Sequence, residues 1–425
     1  MRFNLSGKAF TKVQAVVVAI IIISALIGGV AYYVSRSGPS KLAPDYILIG
    51  ATVDLTGPNA FVESIFLYAW KWAVEKVNEH GGVYVKEYGK KIPLKLIYYD
   101  DASDVSKVVS NMETLVLKDN VLCLLGKTGP LAATATVPIA EKYRIPTFGL
   151  AYYPDETVMN SKYYWSRPFE SYEQHSSVIF RAINDLGLTT NRKVAILIME
   201  DPLTAKFFNY YKNAAEQYGF DVVYIEPFTI LTSDYTVMIT SMKERSADIL
   251  VFLGIAPDAT TFWRQCKVLN YRPKIALIVL GARTYGWIES MGKDGEYVCT
   301  LDFWHPTYPY KVIKYGATCQ ELAEDYEKDT GEKWDSSLGE SADCIFIFAD
   351  AIEKAGCLDR EKVNEAMMHI EGEYLCGYLK FIDRHLPIPD VLMQWQGGEK
   401  RVVWAPPDVP VPVDASIVFP LPPWD

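Results

Sequence analysis

The sequence has few of the residues and spacings that mark metal centres or hydrolytic enzymes. It has only seven cysteines, irregularly spaced and without a Cys-x-x-Cys pair, which argues against a zinc site. Its five histidines are scattered, and it lacks the Gly-x-Ser-x-Gly elbow of a serine hydrolase. We therefore expect no metal, no cofactor and no catalytic residue. The cysteines are expected either as buried thiols or as up to three disulfides.

Two stretches resemble functional motifs but are incomplete. Residues 126–128 read Gly-Lys-Thr, the end of a phosphate-binding loop, yet Val121 stands where that loop needs a glycine. Gly129-Pro130 also interrupts the helix that should follow the loop. The acid-rich stretch 98–104 lacks the central glycine of a calcium loop, so we interpret it as a turn that caps a helix.

Basic residues are too few for a nucleic-acid partner. The formal net charge is −10 over 425 residues, and charged residues make up an ordinary 22% of the chain. An acidic chain is repelled by nucleic acid and by anionic membrane surfaces. The length predicts two or three domains, since a single compact core rarely grows so large.

Acidic residues are missing from the first 36 residues, and residues 13–35 carry no charge at all. This apolar run is long enough to span a membrane, and the preceding positive charges place the N-terminus inside. Residues 36–45 are polar and contain prolines, as linkers do. We expect a leader and positive flank over 1–12, a membrane segment over 13–35, a linker over 36–45 and an extracellular main domain.

Beyond the linker, short apolar runs alternate with amphipathic stretches. The first series predicts strands at 46–53, 92–99, 120–126 and 145–150, and the rhythm restarts with KVAILIME at Lys193. Continuously apolar strands joined by helices indicate parallel sheets covered on both faces. The expected class is therefore α/β with two lobes. The proline-rich tail 406–425 should lack regular structure.

Ligand-binding loops are expected beyond the carboxyl ends of the parallel strands. These loops read DLTGPNAFVES, KTGPLA and AYYPDE in the first series, and EDPLTA, GIAPDA and GARTYGW in the second. Two lobes that face each other across such loops form a cleft that closes on a small molecule.

Several stretches, taken together and in order, resemble type I solute-binding proteins of the branched-chain amino acid and amide uptake family. These are IGATVDLTGPNAF, NEHGGV, YYDDASD, ATVPIAEKYRIPTF, KVAILIMEDP and VLMQWQGGEKRVVW, and the resemblance covers about 46–405. It implies an extracellular receptor that delivers a small solute to ABC transporter permease subunits. It also implies two Rossmann-like lobes joined by three crossings, near 168–172, 302–306 and 376–380. The lobes are then 46–168 with 306–376, and 169–302 with 380–405.

The resemblance also places candidate ligand-binding residues in the loops of both lobes. They are Phe61, Thr128, Pro130, Leu131, Ala151, Tyr152, Tyr172, Asp201, Pro202, Ile255, Arg283 and Trp304. Most of the hydroxyl groups that bind an amino acid in the family are replaced here. The family's acidic residue that binds the ammonium group corresponds to a position near Arg283 in this sequence. We therefore favour an organic acid, held by Tyr152, Tyr172, Phe61 and Trp304, with Arg283 on its carboxylate.

Alternatives remain for these residues and for the function. Packing is the alternative role for each aromatic side chain, and pairing with a surface acid is the alternative for Arg283. A ligand-sensing ectodomain of the same fold, an amide or urea binder, an enzyme that reuses the fold and a surface-layer protein are the other functions considered.

The stretch SGKAFTKVQAVVVAII resembles the pilin-like leaders of archaeal solute-binding proteins. That resemblance implies cleavage between Ala9 and Phe10, in front of the apolar run, which then stays on the mature chain as a membrane tether. An uncleaved anchor is the alternative.

Overall fold

The computed structural model describes residues 21–25, 42–57, 59–126, 130–202 and 204–424, without the side chains of residues 130–134. The chain forms two compact units, Met1–Pro44 and Asp45–Asp425. In the first unit residues 21–25 are helical and exposed, whereas the expected leader and the rest of the apolar segment lie outside the described residues. Within the ranges just given, no helix is long and apolar enough to cross a membrane.

Strands and helices alternate over most of the second unit. The strands are β1 Ile47–Val53, β2 Val83–Val85, β3 Lys90–Ile92, β4 Leu94–Asp100, β5 Cys123–Leu125, β6 Thr147–Gly149, β7 Tyr164–Ser166, β8 Pro168–Glu170, β9 Lys193–Met199, β10 Asp221–Phe228, β11 Ile249–Gly254, β12 Ile275–Leu280, β13 Cys299–Asp302, β14 Lys311–Val312, β15 Ala317–Thr318, β16 Glu371–Tyr374, β17 Gly377–Lys380, β18 Leu386–Ile388, β19 Val391–Gln396 and β20 Glu399–Trp404. The helices are α1 Ala60–Glu79, α2 Val105–Leu117, α3 Pro130–Tyr143, α4 Glu156–Asn160, α5 Tyr172–Asp185, α6 Phe207–Gln217, α7 Thr236–Glu244, α8 Ala256–Val268, α9 Gly286–Met291, α10 Cys319–Thr330, α11 Ser337–Ala355 and α12 Arg360–Met367.

Two parallel sheets with the same strand order confirm the predicted α/β class. The first lobe holds the order β4-β1-β5-β6-β7, and the second holds β10-β9-β11-β12-β13 extended by β19 and β20. The five strands of the first sheet run parallel, whereas β19 and β20 pair antiparallel at the edge of the second. In each lobe the first strand lies beside the second and third, which is the doubly wound order that places ligands at the strand ends.

The strands form where the sequence is continuously apolar. All six residues of β11 are buried, and so are six of the seven residues of β9. This burial on both faces explains why they carry no polar alternation. Helix α2 begins as the acid-rich stretch predicts, since the Asp104 carboxylate accepts hydrogen bonds from the backbone N–H groups of Ser106 and Lys107.

Three connections join the lobes, and two of them lie side by side. Strand β8, in the first connection, pairs in parallel with β18, in the third, with Ile388 opposite Glu170. The second connection leaves β13 at Asp302 and leads to helix α11, which packs on α1 of the first lobe.

The third connection was expected at 376–380, and that position is wrong. Residues Gly377–Lys380 pair with Glu371–Tyr374 in a hairpin instead, and the chain reaches the second lobe through β18. The hairpin turn is fixed by the buried carboxylate of Asp343 on α11, which accepts hydrogen bonds from the backbone N–H groups of Leu375 and Cys376, both at 2.9 Å.

Large aromatic side chains fill much of the core. Trp165, Trp263, Trp287, Trp304 and Trp395 are all fully buried. All seven cysteines are free thiols and six of them are buried, so the interpretation as small core residues is confirmed over disulfides.

The tail beyond β20 has neither helix nor strand up to residue 424, as its prolines predict. It is nevertheless held against the second lobe. The backbone N–H of Leu421 donates to the carbonyl of Lys274 at 2.8 Å, and Arg272 donates to the carbonyl of Pro422 at 2.7 Å. The Arg272 guanidinium also lies 3.9 Å from the ring centroid of Trp424.

Candidate ligand-binding site

The loops at the carboxyl ends of the strands meet where the lobes are connected. The loop after β6 carries Tyr153, whose backbone N–H donates to the carbonyl of Glu170 at 3.2 Å and whose carbonyl accepts from Tyr172 at 3.0 Å. Farther along the same loop, the Asp155 carboxylate lies 3.8 Å from the ammonium group of Lys206 in the loop after β9. A loop of the first lobe therefore contacts the second lobe directly.

The loop after β1 is shaped by two acidic side chains. Asp54 is fully buried and accepts hydrogen bonds from the backbone N–H groups of Gly57 and Asn59, at 2.6 and 3.1 Å. A Cβ atom at Gly57 would lie 2.6 Å from the backbone of Ala102, so this position requires glycine. Asp100 accepts from Leu55 and so ties the same loop to the end of β4.

Phe61 lines a cavity on the first lobe. It is 59% exposed at the start of α1, and the cavity has a volume of about 400 Å³. Tyr68, Lys71 and Tyr326 line the same cavity.

An aromatic cluster forms where the first-lobe loop enters the second lobe. The Tyr152 ring stacks on Tyr172, with centroids 4.9 Å apart, and its edge meets Phe207 at the same distance. Tyr172 in turn stacks on Tyr210 at 5.1 Å, and the Lys206 ammonium group lies 5.6 Å from the Tyr172 ring. Tyr152 and Tyr172, two of the predicted ligand-binding residues, therefore contact each other. Burial raises the pKa of both tyrosines above the ordinary value, so their phenols stay neutral.

Arg283 lies in the loop after β12, and its guanidinium is held by groups from both lobes. Its Nε lies 3.2 Å from a carboxylate oxygen of Asp302 and donates to the Ser336 hydroxyl at 2.9 Å. Its Nη1 lies 3.6 Å from a carboxylate oxygen of Glu170. Burial opposes the charge, but Asp302 and Glu170 outweigh it and raise the pKa of Arg283 above its ordinary value. Among the described residues, no group accepts a hydrogen bond from its buried Nη2.

Further buried charges surround the lobe connections. Arg167 and Glu340 form an ion pair at 3.1 Å, and Lys400 donates to Asp302 at 2.8 Å. Burial raises the pKa of Glu340 to about 8, although attraction to Arg167 and Arg283 acts in the opposite direction. Sequence reasoning missed these residues, because no motif links charges that lie far apart in the chain.

Three more missed residues lie together at the first and third connections. Nδ1 of His175 lies 2.8 Å from a carboxylate oxygen of Asp390, although 215 residues separate them in sequence. Burial, with repulsion from Asp390, raises the pKa of Glu170 to about 8. Burial lowers the pKa of His175 to about 4, and burial raises the pKa of Asp390 above its ordinary value.

The remaining predicted residues differ in how far they are exposed to solvent. Trp304 is fully buried, its ring lies 5.9 Å from Trp334, and it closely covers Gly339 on α11. Asp201 and Ile255 are half-buried and Pro202 is exposed, all at the carboxyl ends of the second sheet. Thr128 and the side chains of Pro130 and Leu131 lie outside the described residues.

Known proteins match this chain over most of its length. A family model described as periplasmic binding protein matches residues 47–399. A curated relative, Leu/Ile/Val-binding protein homolog 7 of Brucella abortus, is 22% identical over 87% of this chain and 94% of its own length.

Solved structures share the fold at low sequence identity. A putative branched-chain amino acid ABC transporter protein from Silicibacter pomeroyi matches with a TM-score of 0.76 and 18% identity, over 88% of this chain and 99% of its own. A solute-binding protein of an ABC transporter from Rhodopseudomonas palustris BisB5, in complex with 3,4-dihydroxybenzoic acid, matches with a TM-score of 0.69 and 19% identity, over 87% and 99% of the two chains.

Proposed function

This chain belongs to the periplasmic binding protein family, and we propose that it is the solute-binding receptor of an ABC-type uptake transporter. The observation that carries the proposal is a pair of doubly wound lobes joined by three connections. The loops at the carboxyl ends of their strands lie beside these connections. Such lobes close around one small molecule by bending at their connections. Receptors of this kind bind their solute outside the cytoplasm, deliver it to permease subunits and perform no chemistry on it.

Arg283 is the proposed partner of a solute carboxylate. Its Nε and Nη1 are engaged by Asp302, Ser336 and Glu170, which fix the orientation of the guanidinium plane. Nη2 has no acceptor among the described residues, so it is the atom with hydrogen bonds to offer a solute oxygen. A guanidinium already held in place loses little side-chain entropy on binding, and a charge-assisted hydrogen bond favours a carboxylate over an amide.

The body of the solute is proposed to be aromatic or branched and apolar. Tyr152 and Tyr172 belong to the aromatic cluster beside the loop that carries Asp155, and Ile255 is a half-buried aliphatic residue. Among the similar proteins, one is named for leucine, isoleucine and valine, and another was solved with an aromatic acid. Nη2 of Arg283 is a donor and offers an ammonium group no acceptor, so the proposal favours an organic acid over an amino acid.

A thermal-shift screen of the purified protein tests this function. Benzoate, 3,4-dihydroxybenzoate, branched 2-oxo acids and branched-chain amino acids are compared with the matching primary amides. We expect at least one carboxylate to raise Tm in a saturable way and its amide to act more weakly. The variant Arg283→Lys keeps the charge beside Glu170 and Asp302 but loses Nη2.

In that variant the affinity for the carboxylate should fall about 10-fold to 100-fold, as expected for the loss of a charged hydrogen bond. An unchanged affinity would remove Arg283 from the site. Failure of every solute to stabilise the protein would contradict the receptor function itself.

We further propose that residues 13–35 tether the receptor to the outer face of the cell membrane, with the N-terminus inside. A prepilin-type peptidase is proposed to cut between Ala9 and Phe10, as on the archaeal receptors that this leader resembles. N-terminal sequencing of the native protein distinguishes a chain that begins at Phe10 from one that begins at Met1 or Arg2.

A further inference from the structure

Three potential metal ligands converge at the lobe connections. Each of Glu170, His175 and Asp390 offers a ligand atom, and these atoms all lie within 4.8 Å of one another. Glu170 ends β8 in the first connection, His175 lies in the first turn of α5, and Asp390 follows β18 in the third connection. The topology therefore assembles a set of donors that the sequence leaves scattered.

Each of the three side chains is buried and carries an atom that lacks a hydrogen-bond partner. The exposed fractions are 1% for Glu170, 2% for His175 and 1% for Asp390. Oε2 of Glu170, Nε2 of His175 and Oδ1 of Asp390 have no partner in the described part of the chain. Buried polar atoms are nearly always paired, so an unpaired atom on each of three adjacent side chains indicates a group that the described residues do not supply.

The local charge favours a cation as that occupant. Lys400 is bound to Asp302, and Arg283 lies between Asp302 and Glu170. The cluster therefore contains two cations, Lys400 and Arg283, and three carboxylates, which are those of Asp302, Glu170 and Asp390. A buried carboxylate without a compensating charge is strongly unfavourable, so positive charge is expected beside Glu170 and Asp390.

We propose that Glu170, His175 and Asp390 bind a divalent transition-metal ion, for which Zn²⁺ is the probe. One imidazole and two carboxylates are a donor set that Zn²⁺ accepts, whereas Mg²⁺ and Ca²⁺ prefer oxygen ligands alone. The ion joins the first and third connections through Glu170 and Asp390 and fastens α5 to both through His175. It thereby stiffens the pivot about which the two lobes move. The site adjoins the proposed solute contact, because Glu170 also lies 3.6 Å from Nη1 of Arg283, whereas the solute contact is at Nη2.

A shared proton is the competing occupant. Glu170 lies within hydrogen-bonding reach of Asp390, so a proton held between the two carboxylates would also relieve their repulsion. A proton leaves no trace in an elemental analysis and does not respond to a chelator. A metal ion is detected by elemental analysis and is removed by a chelator.

The test measures metal in the full chain, produced without a histidine tag. Because the site is buried, the protein is unfolded, stripped with EDTA and refolded with or without ZnCl₂, then analysed by inductively coupled plasma mass spectrometry and thermal unfolding. We expect about one bound ion per chain and a Tm that rises with the Zn²⁺ concentration. No solute is added, so failure here leaves the receptor function untouched.

Variants identify the ligands. His175→Gln and Asp390→Asn should each weaken Zn²⁺ binding at least about tenfold, whereas His305→Gln removes a buried histidine from the second connection and should leave binding unchanged. The wild-type metal content decides the question even if one variant fails to fold. No bound metal and no change of Tm with Zn²⁺ would overturn the proposal in favour of the shared proton. Equal Zn²⁺ binding by the wild type and His175→Gln would also overturn it.

Discussion

At the scale of single residues, the lobe interface depends on charges that are buried in pairs. The side chains of Lys400 and Asp302 are both fully buried and form a salt bridge at 2.8 Å. Such a pair adds little net stability over apolar residues, but removal of one partner leaves the other as an uncompensated buried charge. Arg283 then becomes the nearest cation to Asp302.

Replacement of Lys400 by methionine tests this dependence. The free energy of unfolding, measured by urea denaturation, should fall by about 3–5 kcal/mol, since the Asp302 carboxylate loses its shortest ion pair. Lys142→Met is the matched control, because Lys142 and its partner Glu113 are 61% and 37% exposed. That change should remove less than about 1 kcal/mol. Equal losses in the two variants would contradict the argument.

Another prediction concerns the buried histidine at the second connection. Burial, followed by the positive charge of Lys400, lowers the pKa of His305 from 6.5 to about 4, although Asp414 and Asp302 act in the opposite direction. The folded state therefore holds the neutral imidazole and binds fewer protons than the unfolded state. The stability that neutral His305 contributes is fully present above pH 6.5 and is lost as the pH falls from about 6.5 towards 4.

Unfolding free energies measured between pH 7.5 and 4.5 check this prediction. Over this range His305 alone should remove up to about 3 kcal/mol, whereas Glu170 and Glu340, whose pKa values are raised to about 8, act in the opposite direction, so the comparison with a variant isolates His305. His305→Gln should lose less over the same range, although the lowered pKa values of His175 and His385 keep part of the dependence. Parallel pH profiles for the two proteins would show that His305 does not contribute.

At the scale of helices and strands, the sequence predicted what local patterns determine. Strand β1 was expected at 46–53 and lies at Ile47–Val53, and the stretch 98–104 was expected to cap a helix, which begins at Val105. Continuous apolar runs predict buried parallel strands, and a residue such as Asp104 predicts the start of a helix. The third connection was misplaced because β18 is short and contains Pro387, which weakens the strand pattern although edge pairing with β8 tolerates it.

The cap of α2 gives a test at this scale. Asp104→Ala should lower the free energy of unfolding by about 1 kcal/mol, because two backbone N–H groups at the start of the helix lose their acceptor. Asp104→Asn keeps a side-chain oxygen and should lose only a few tenths of a kcal/mol. Chemical denaturation of both variants provides the comparison, and equal losses would mean that the cap itself adds little.

At the scale of the whole molecule, the topology brings together what the sequence keeps apart. The site loops were predictable, because parallel strands all end at the same edge of a sheet. The contacts within the site were not. Tyr152 belongs to the first lobe but packs in a second-lobe cluster, and Arg283 is held by Glu170 and Asp302 at the connections. Such pairings follow from how two lobes meet, which a local pattern does not encode.

The central claim is that one small carboxylate binds between the lobes and is held by Arg283. Isothermal titration calorimetry of the purified protein, with the best carboxylate of the screen and its primary amide, tests it most directly. We predict saturable binding of about one carboxylate per chain, at least about tenfold tighter than the amide, as expected for a charge-assisted hydrogen bond. The absence of binding heat with any of the solutes, or equal affinity for the carboxylate and its amide, would contradict the account.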